Sequence, residues 1–256
     1  MEVTSIANFK GGTGKTVTAC NMAALLAGAG FKTLLIDADP QHNASTFFGA
    51  DPLAPTLTQL LTGEAAPVWS DVVSPAGREN LSLLPADMGL LALDLAAMQG
   101  EGFRMARRLR DFLDVIDQDD GFDHVIIDCP PSFTAATVAA LLSSHRVVLP
   151  TRLDAFSQAG VKELVGQVET LRGHFGRGMS IPGCMVLITM ADRTRLAAQG
   201  EELLRSSGLF VFETVIRSST KVGESTYARQ PLGEYAPRSG AAEDYAAFVN
   251  EFLGRC

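Results

Sequence analysis

The stretch NFKGGTGKT at residues 8–16 decides the fold of this 256-residue chain. An apolar run at residues 3–8 comes just before its glycines and predicts a buried strand. Residues 15–28, rich in Ala, Met and Leu, predict a helix directly after it. The glycines let the backbone curl so that several N–H groups point into one hollow, and the start of the helix adds positive potential. A chance Lys-Thr in a glycine-rich turn is the simpler alternative, but a strand–loop–helix context favours a phosphate-binding loop.

The rest of the chain alternates short apolar runs with longer segments of helical period. This pattern is typical of βαβ units around a parallel sheet that is covered on both faces. We therefore predict an α/β fold in three layers, mostly parallel and with helices on both faces, in a single domain over residues 1–256. Residues 50–78 allow no assignment. Strands are predicted at residues 33–36, 81–85, 124–128, 146–150 and 183–189, and helices at 103–116, 134–143, 156–175, 193–206 and 241–253.

Composition excludes several classes of protein. Hydrophobic residues make up 46% and charged residues 20%, which is enough apolar material for a core. The four cysteines form no C-x-x-C pair, which argues against a disulfide scaffold or a zinc module and favours a reducing cytoplasm. No stretch reaches about 18 apolar residues, so we expect no membrane-spanning helix.

Charge is unevenly distributed along the chain. The net charge of −8 should repel nucleic acid and anionic lipid from the protein as a whole. Residues 193–238, however, contain seven basic residues against five acidic ones. This is a weak indication of a basic surface on an acidic body.

Two lysines belong to the loop. Lys15 is placed to supply a charge to the β- and γ-phosphates of a nucleotide, and Thr16 to supply a hydroxyl to Mg²⁺. The simple pattern G-x-x-x-x-G-K-[ST] has glycine at position 9, where this chain has Phe9. The second lysine, Lys10, is either a solvated surface residue or a charge offered to a phosphate that belongs to another molecule.

Three aspartates follow predicted strands at the edge of the sheet where open α/β folds bind ligands. Asp37 and Asp39 come after one strand, and Asp128 ends another. Each alone would suit an ordinary strand-terminal turn. Together with the loop they suit phosphoryl transfer, which needs a metal, positive charge and a group that orients the attacking water.

Three motifs carry a family resemblance. KGGTGKT at residues 10–16 resembles the deviant Walker A motif of the ParA/MinD ATPases, DADPQHNAS at 37–45 is similar to their second segment, and DCPPS at 128–132 to their Walker B region. The resemblance implies a P-loop NTPase fold with ATP and Mg²⁺ as cofactors. It also implies a set of nucleotide-binding residues: Lys10, Gly11, Gly12, Thr13, Gly14, Lys15, Thr16 and Thr18.

The resemblance further implies individual roles. Lys10, Lys15 and Asp39 would be catalytic, with Asp39 acting on the water. Mg²⁺ would be held by Thr16, by Asp37 through its hydration shell and by Asp128 through a water. Lys10 would cross a homodimer interface to the partner's nucleotide, so that ATP becomes a dimerisation switch.

Two segments favour the ParA branch over MinD. MinD-like proteins are expected to end in a basic amphipathic helix, whereas residues 241–256 contain three acids and one base, so we expect no membrane partner. ADRTRL at 191–196 and residues 214–225 resemble DNA-contacting segments of ParA proteins. They would place non-specific DNA contacts at Arg193 and Lys221, although Arg217, Ser218 and Ser219 depart from the family's Pro-Arg-Asn. A solvated basic surface is the alternative.

The leading hypothesis is a cytoplasmic ParA-type ATPase, bound to the nucleoid when it holds ATP. It would partition a plasmid or chromosome together with a ParB-like or other activating partner protein. The same ATPase could instead position a carboxysome or a chemoreceptor cluster. Two further alternatives are a MinD-like regulator of cell division and a metabolic enzyme that uses ATP on a small molecule.

Overall fold

The computed structural model describes residues 1–64, 68–175, 183–192 and 194–255 of the protein. Its strands are β1 Glu2–Ile6, β2 Thr33–Asp37, β3 Ser74–Arg78, β4 Leu81–Leu84, β5 His124–Asp128, β6 Arg146–Thr151, β7 Gly183–Ala191 and β8 Phe210–Arg217. They form one eight-stranded sheet in the order β3-β4-β2-β5-β1-β6-β7-β8. Every neighbouring pair is parallel except β3 and β4, which are antiparallel. The predicted α/β class with a mostly parallel sheet is confirmed.

Helices connect most of the strands. They are α1 Lys15–Gly28, α2 Asn43–Phe47, α3 Leu57–Thr62, α4 Trp69–Val72, α5 Leu90–Ala96, α6 Gly102–Gln118, α7 Ala135–Ser143, α8 Ala155–Phe175, α9 Arg195–Arg205, α10 Thr220–Ala228, α11 Leu232–Tyr235 and α12 Gly240–Leu253. A π-helical turn, Ala97–Glu101, joins α5 to α6, and Gly100 has a φ of 100° there. Within the described residues, no helix is both long enough and apolar enough to cross a membrane.

The core has two halves, one on each face of the sheet. Successive side chains of a strand point to opposite faces, so Val125 and Ile127 of β5 pack with α6 and α7, while Ile126 packs with α1 and α12. This is why the central strands are apolar without alternation: all five residues of β5 are buried. The three layers of the prediction are therefore present.

The sequence prediction was incomplete at the sheet edges and in the middle of the chain. Strand β8 was missed because it is an edge strand, in which polar Glu213 and Thr214 interrupt the apolar residues. Residues 50–78, for which no element was predicted, contain α3, α4 and β3. Strand β3 has Pro75 and Gly77 in its sequence, SPAGR, which sequence rules assign to a turn.

The two phenylalanines of α6 allow a test of the core. Phe112 is completely buried, whereas Phe103 is 52% exposed on the same helix. Phe112→Ala should lower the free energy of unfolding by about 3–5 kcal/mol, because it leaves a cavity between α6 and the sheet. Urea unfolding measures this loss. The matched control, Phe103→Ala, should stay within about 0.5 kcal/mol of wild type, and equal losses in the two variants would contradict the packing described.

Candidate functional site

Strand register places the predicted site residues at one edge of the sheet. Asp37 at the end of β2 pairs with Asp128 at the end of β5, and Asp128 pairs with Ile6 at the end of β1. The glycine-rich loop follows β1 immediately and leads into α1. Residues that lie far apart in the chain therefore meet at the carboxyl ends of three neighbouring parallel strands, where open α/β sheets bind their ligands.

The loop adopts a conformation that requires glycine. Gly12 has a φ of 71° and Gly14 a φ of 87°, both in the left-handed region. Gly14 is also the N-cap of α1, and no side chain caps the helix there. The first N–H groups of α1 consequently face the loop without a side-chain acceptor. An anion can accept these hydrogen bonds and also gains from the positive end of the helix.

Both loop lysines are held inside their own subunit. Lys15 is only 7% exposed, and its ammonium group donates to the Lys10 carbonyl oxygen at 3.1 Å. Burial lowers the pKa of Lys15, while the negative charges of Asp128 and Asp39 act in the opposite direction. The Lys10 ammonium extends the other way and donates to Asp154 Oδ1 at 2.6 Å.

Asp37 is buried and well hydrogen-bonded. Its Oδ2 accepts from the Ser45 amide at 2.8 Å and the Ser45 hydroxyl at 2.7 Å, and its Oδ1 accepts from the Asp39 amide at 3.1 Å. Burial nevertheless raises the pKa of Asp37 to about 6, against an ordinary 3.8. Ser45 also receives the Ala86 amide at 3.0 Å. It thus ties the segment after β2 to the segment after β4, a role that the sequence reading did not assign.

Asp128 is buried, and among the described residues no donor lies within full hydrogen-bond distance of either carboxylate oxygen, although the Thr16 side chain is close enough to affect its pKa. Burial raises its pKa well above the ordinary value, the charge of Asp37 raises it further, and the Thr16 side chain and Lys15 oppose the shift. A buried, unsatisfied carboxylate is costly unless a cation or a bound water completes it. Asp37, Asp128 and Thr16 therefore suit the oxygen-rich environment that Mg²⁺ prefers.

Of the remaining predicted residues, Asp39 and Thr13 lie at the loop, whereas the side chain of Thr18 contacts α12. Asp39 is 7% exposed beside the loop, and its Oδ1 accepts from the Gln41 amide at 2.9 Å. Thr13 lies in the loop and accepts the Thr189 hydroxyl on its carbonyl oxygen at 2.8 Å. Thr18 instead points into the protein, with its hydroxyl 3.2 Å from that of Tyr245 on α12.

A cavity of about 340 Å³ opens beside the first turn of α1. Its walls include Gly14 and Val17 on one side and Met190, Ser219 and Val222 on the other. The size and mostly apolar lining suit a flat aromatic ring. It adjoins the loop, so one ligand could place a phosphate chain on the loop and a ring in this cavity.

The proposed DNA-contacting residues are less clearly arranged. Arg193 lies outside the described residues. The Lys221 ammonium donates to Glu224 Oε2 at 2.6 Å, and the Tyr235 hydroxyl donates to the same carboxylate oxygen at 2.9 Å. Hydrogen bonding to Glu224 raises the pKa of Lys221, which keeps its charge. A phosphate contact at Lys221 would have to compete with Glu224.

Known proteins resemble this chain over nearly its whole length. A family model described as "AAA domain" matches residues 1–181. The chain is 33% identical to the chromosome partitioning protein ParA of Caulobacter vibrioides, covering 100% of this chain and 95% of that protein. It is 35% identical to the chromosome-partitioning ATPase Soj of Thermus thermophilus, covering 98% and 95%. The chain belongs to the ParA/Soj family of P-loop ATPases.

Solved structures of other proteins share the fold. The ATP complex of a Cyanothece McdA variant superposes with a TM-score of 0.85 at 26% identity, covering 99% of this chain and 96% of that one. The Pyrococcus furiosus cell division ATPase MinD superposes with a TM-score of 0.77 at 24% identity, covering 100% and 99%. The ParA/Soj membership agrees with the three sequence motifs from which the resemblance was inferred.

The buried carboxyl groups of this ParA/Soj chain predict an unusual pH dependence. Because the pKa of Asp37 is higher in the folded protein than its ordinary 3.8, the folded protein binds a proton more tightly than the unfolded chain between about pH 4 and 6. The stability of the metal- and nucleotide-free protein should therefore fall as pH rises through this window. Asp37→Asn should raise the free energy of unfolding at pH 7 by about 1–3 kcal/mol and have little effect near pH 4.

Urea unfolding at both pH values tests this dependence. Exposed Glu79 supplies the control, since Glu79→Gln removes one negative charge away from the site and should change stability by less than about 0.5 kcal/mol. If Asp37→Asn were no more stable than wild type at pH 7, the cost of burying this charge would be refuted.

Proposed function

We propose that this chain is a ParA-type partition ATPase built as a single domain over residues 1–256. It binds ATP with Mg²⁺, forms a sandwich dimer in the ATP state and binds DNA without sequence preference. A partner protein stimulates hydrolysis and so releases the dimer from DNA. The cycle moves a plasmid or a chromosome region, in the cytoplasm and on the nucleoid when ATP is bound.

One observation carries the proposal. Asp37 and Asp128 meet in register beside a glycine loop that holds a buried lysine, and within the described ranges no donor lies at full hydrogen-bond distance from either Asp128 oxygen. Such a group is poorly suited to a purely structural role, because keeping it ionised without a partner costs several kcal/mol and drives it to bind a proton instead. It is well suited to a ligand that brings both a cation and phosphate oxygens. The full-length similarity to ParA and Soj proteins supports ATP as that ligand.

The phosphate chain would be bound by groups already in place. The loop N–H groups and the start of α1 would donate hydrogen bonds to the anionic oxygens, and Lys15 would exchange the Lys10 carbonyl for a phosphate oxygen. The apolar cavity beside Gly14 would take the base. The Thr18 hydroxyl contacts that of Tyr245, which lines the same cavity. Thr18 would therefore help to hold the wall against which the base packs.

Thr16, Asp37 and Asp128 would hold Mg²⁺. The described residues contain no group of three or more His, Cys, Asp or Glu side chains that could hold a metal by themselves. The nucleotide and water would therefore complete the ligand set, which is usual for Mg²⁺. When bound, Mg²⁺ neutralises charge on the transferred phosphoryl group.

Asp39 would orient the attacking water, and Lys10 would act from the partner subunit. Asp39 lies at the loop with one carboxylate oxygen fixed by the Gln41 amide, which limits its rotation. A lysine delivered across the dimer would stabilise negative charge that develops on the phosphates. Catalysis would then depend on dimerisation, which couples ATP binding to assembly.

DNA binding would follow from the dimer. A single chain with a net charge of −8 and a partly neutralised Lys221 offers a weak site. Two copies held together by ATP present two such sites, and their joint affinity exceeds either one alone. Contacts to phosphates make this binding sensitive to salt and indifferent to sequence.

Other functions of the same fold are distinguishable. The ATPase could position another cargo, such as a carboxysome or a chemoreceptor cluster, because the partner protein selects the cargo. It could also act as a MinD-like regulator, which binding to anionic vesicles with ATP would reveal. A small-molecule enzyme is a separate class: a cobyrinic acid a,c-diamide synthase from Mycobacterium smegmatis superposes with a TM-score of 0.78 at 25% identity.

The role of Asp39 is testable in a single variant. Asp39→Ala should keep ATP binding but lower the hydrolysis rate by about 100-fold or more, because the attacking water loses its orienting carboxylate. Steady-state phosphate release and light scattering with ATP should show a slow enzyme that accumulates as a dimer. Lys15→Ala serves as the control that loses nucleotide binding itself. Normal hydrolysis by Asp39→Ala would exclude this role.

DNA binding is tested by gel retardation with ATP, with ADP and without nucleotide. We expect retardation with ATP only, lost in Lys10→Ala because no dimer forms. In Lys221→Ala it should weaken about equally on unrelated sequences. Phosphate release with and without DNA adds a second measurement, which a small-molecule enzyme should not change. DNA binding that ignored both nucleotide and these lysines would contradict the proposal.

A further inference from the structure

The ammonium group of Lys10 is already engaged in this single subunit. It lies 2.6 Å from Asp154 Oδ1, and the two side chains are 32% and 38% exposed. We propose that Asp154 is a positioning residue that retains Lys10 in its own subunit and competes with the partner's nucleotide for its ammonium group. The inference rests on the proposed function, in which Lys10 acts across a dimer.

The fold brings Asp154 to the loop by pairing β1 with β6. The two strands are parallel neighbours, and the Ala7 amide continues the ladder to the Val148 carbonyl at 3.0 Å. Asn8 then joins the two strand ends, since its Nδ2 donates to the Pro150 carbonyl at 2.9 Å. Asp154 follows β6 by three residues, so its approach to Lys10 is a consequence of sheet topology.

The same asparagine fixes the backbone of the lysine. Asn8 Oδ1 accepts the Lys10 amide at 3.0 Å, while the Lys10 carbonyl accepts the Lys15 ammonium at 3.1 Å. Lys10 is therefore held at its amide, its carbonyl and its side chain by groups of one subunit. If Lys15 turns to a phosphate, the carbonyl loses that donor, so nucleotide binding in a subunit would loosen its own Lys10.

Charge decides the competition. Asp154 offers one carboxylate in a partly exposed position, where an ion pair contributes little because water screens it. A triphosphate across the interface offers more negative charge in a site from which water is excluded, so it should win. A diphosphate carries less negative charge and should compete less well with Asp154. Asp154 would thus raise the threshold for dimerisation and favour ATP over ADP.

The test compares dimerisation of Asp154→Asn with that of wild type, each carrying Asp39→Ala so that ATP persists. Sedimentation equilibrium with ATP should give a dimer dissociation constant about two- to thirtyfold lower for Asp154→Asn, because two lysines are released per dimer. Asp111→Asn removes an equal charge from a pair with Arg107 on α6. This control should stay within about twofold of wild type.

A second measurement reports the ion pair without any dimer. Acetylation of lysines in the nucleotide-free protein, followed by mass spectrometry, should modify Lys10 faster in Asp154→Asn than in wild type. Lys221, which pairs with Glu224, is the internal reference and should react equally in both. Unchanged ADP binding shows that the variant is folded, and Asp154→Ala should reproduce both effects.

The outcomes separate this inference from the proposed function. Tighter ATP dimers together with faster Lys10 acetylation support it. If wild type dimerises with ATP but Asp154→Asn dimerises equally or more weakly, the inference is overturned and the proposed function stands. If wild type remains monomeric with ATP, the proposed function fails, and this inference fails with it.

Discussion

Negative charge buried at the ends of β2 and β5 is the constraint around which this ATPase is built. Asp37 and Asp128 end adjacent strands and are both excluded from water; burial raises the pKa of each, and the charge of Asp37 raises that of Asp128 further. Removing a carboxylate from water costs several kcal/mol unless hydrogen bonds or a cation offset it. Ser45 and the Asp39 amide offset part of this cost for Asp37, whereas Asp128 lacks such partners in the described structure. A cation bound here would offset the remaining cost of burying the carboxylates, so ligand binding would also stabilise the fold.

The glycine loop places positive groups next to these carboxylates, and the groups differ in how firmly they are held. The helix start is fixed, Lys15 is buried and donates to the Lys10 carbonyl oxygen, and Lys10 is partly exposed and paired with Asp154. The helix start already faces the loop, and each lysine can exchange its present partner for a phosphate oxygen. A site of this kind is largely preformed for an anion, while its most exposed lysine remains available for exchange.

The outer surface is less favourable for binding an anion than the loop is. The net charge is negative, and Lys221 in the C-terminal half of the chain is partly neutralised by a neighbouring carboxylate. Polyanion binding by such a surface needs more than one copy, because exposed ion pairs contribute little individually. Under the proposed function, assembly and DNA binding would be controlled by the same ligand.

Several features of this protein follow from its local sequence alone. Local sequence determined the loop, the apolar central strands and the helix after the loop, because glycine conformation and residue periodicity are local properties. It also indicated Asp37 and Asp128, because residues after buried parallel strands share one edge of the sheet. It did not indicate strand β8 or residues 50–78, where polar residues, Pro and Gly hide regular structure that packing stabilises.

Only the tertiary structure decided which groups meet. The partners of Asp37 and Lys10, Ser45 and Asp154, lie 8 and 144 residues away in sequence. Strand order and register bring such groups within hydrogen-bond distance, and neither is a local property of the chain. The unsatisfied oxygens of Asp128 are equally invisible in the sequence, because burial is decided by everything that packs around a residue.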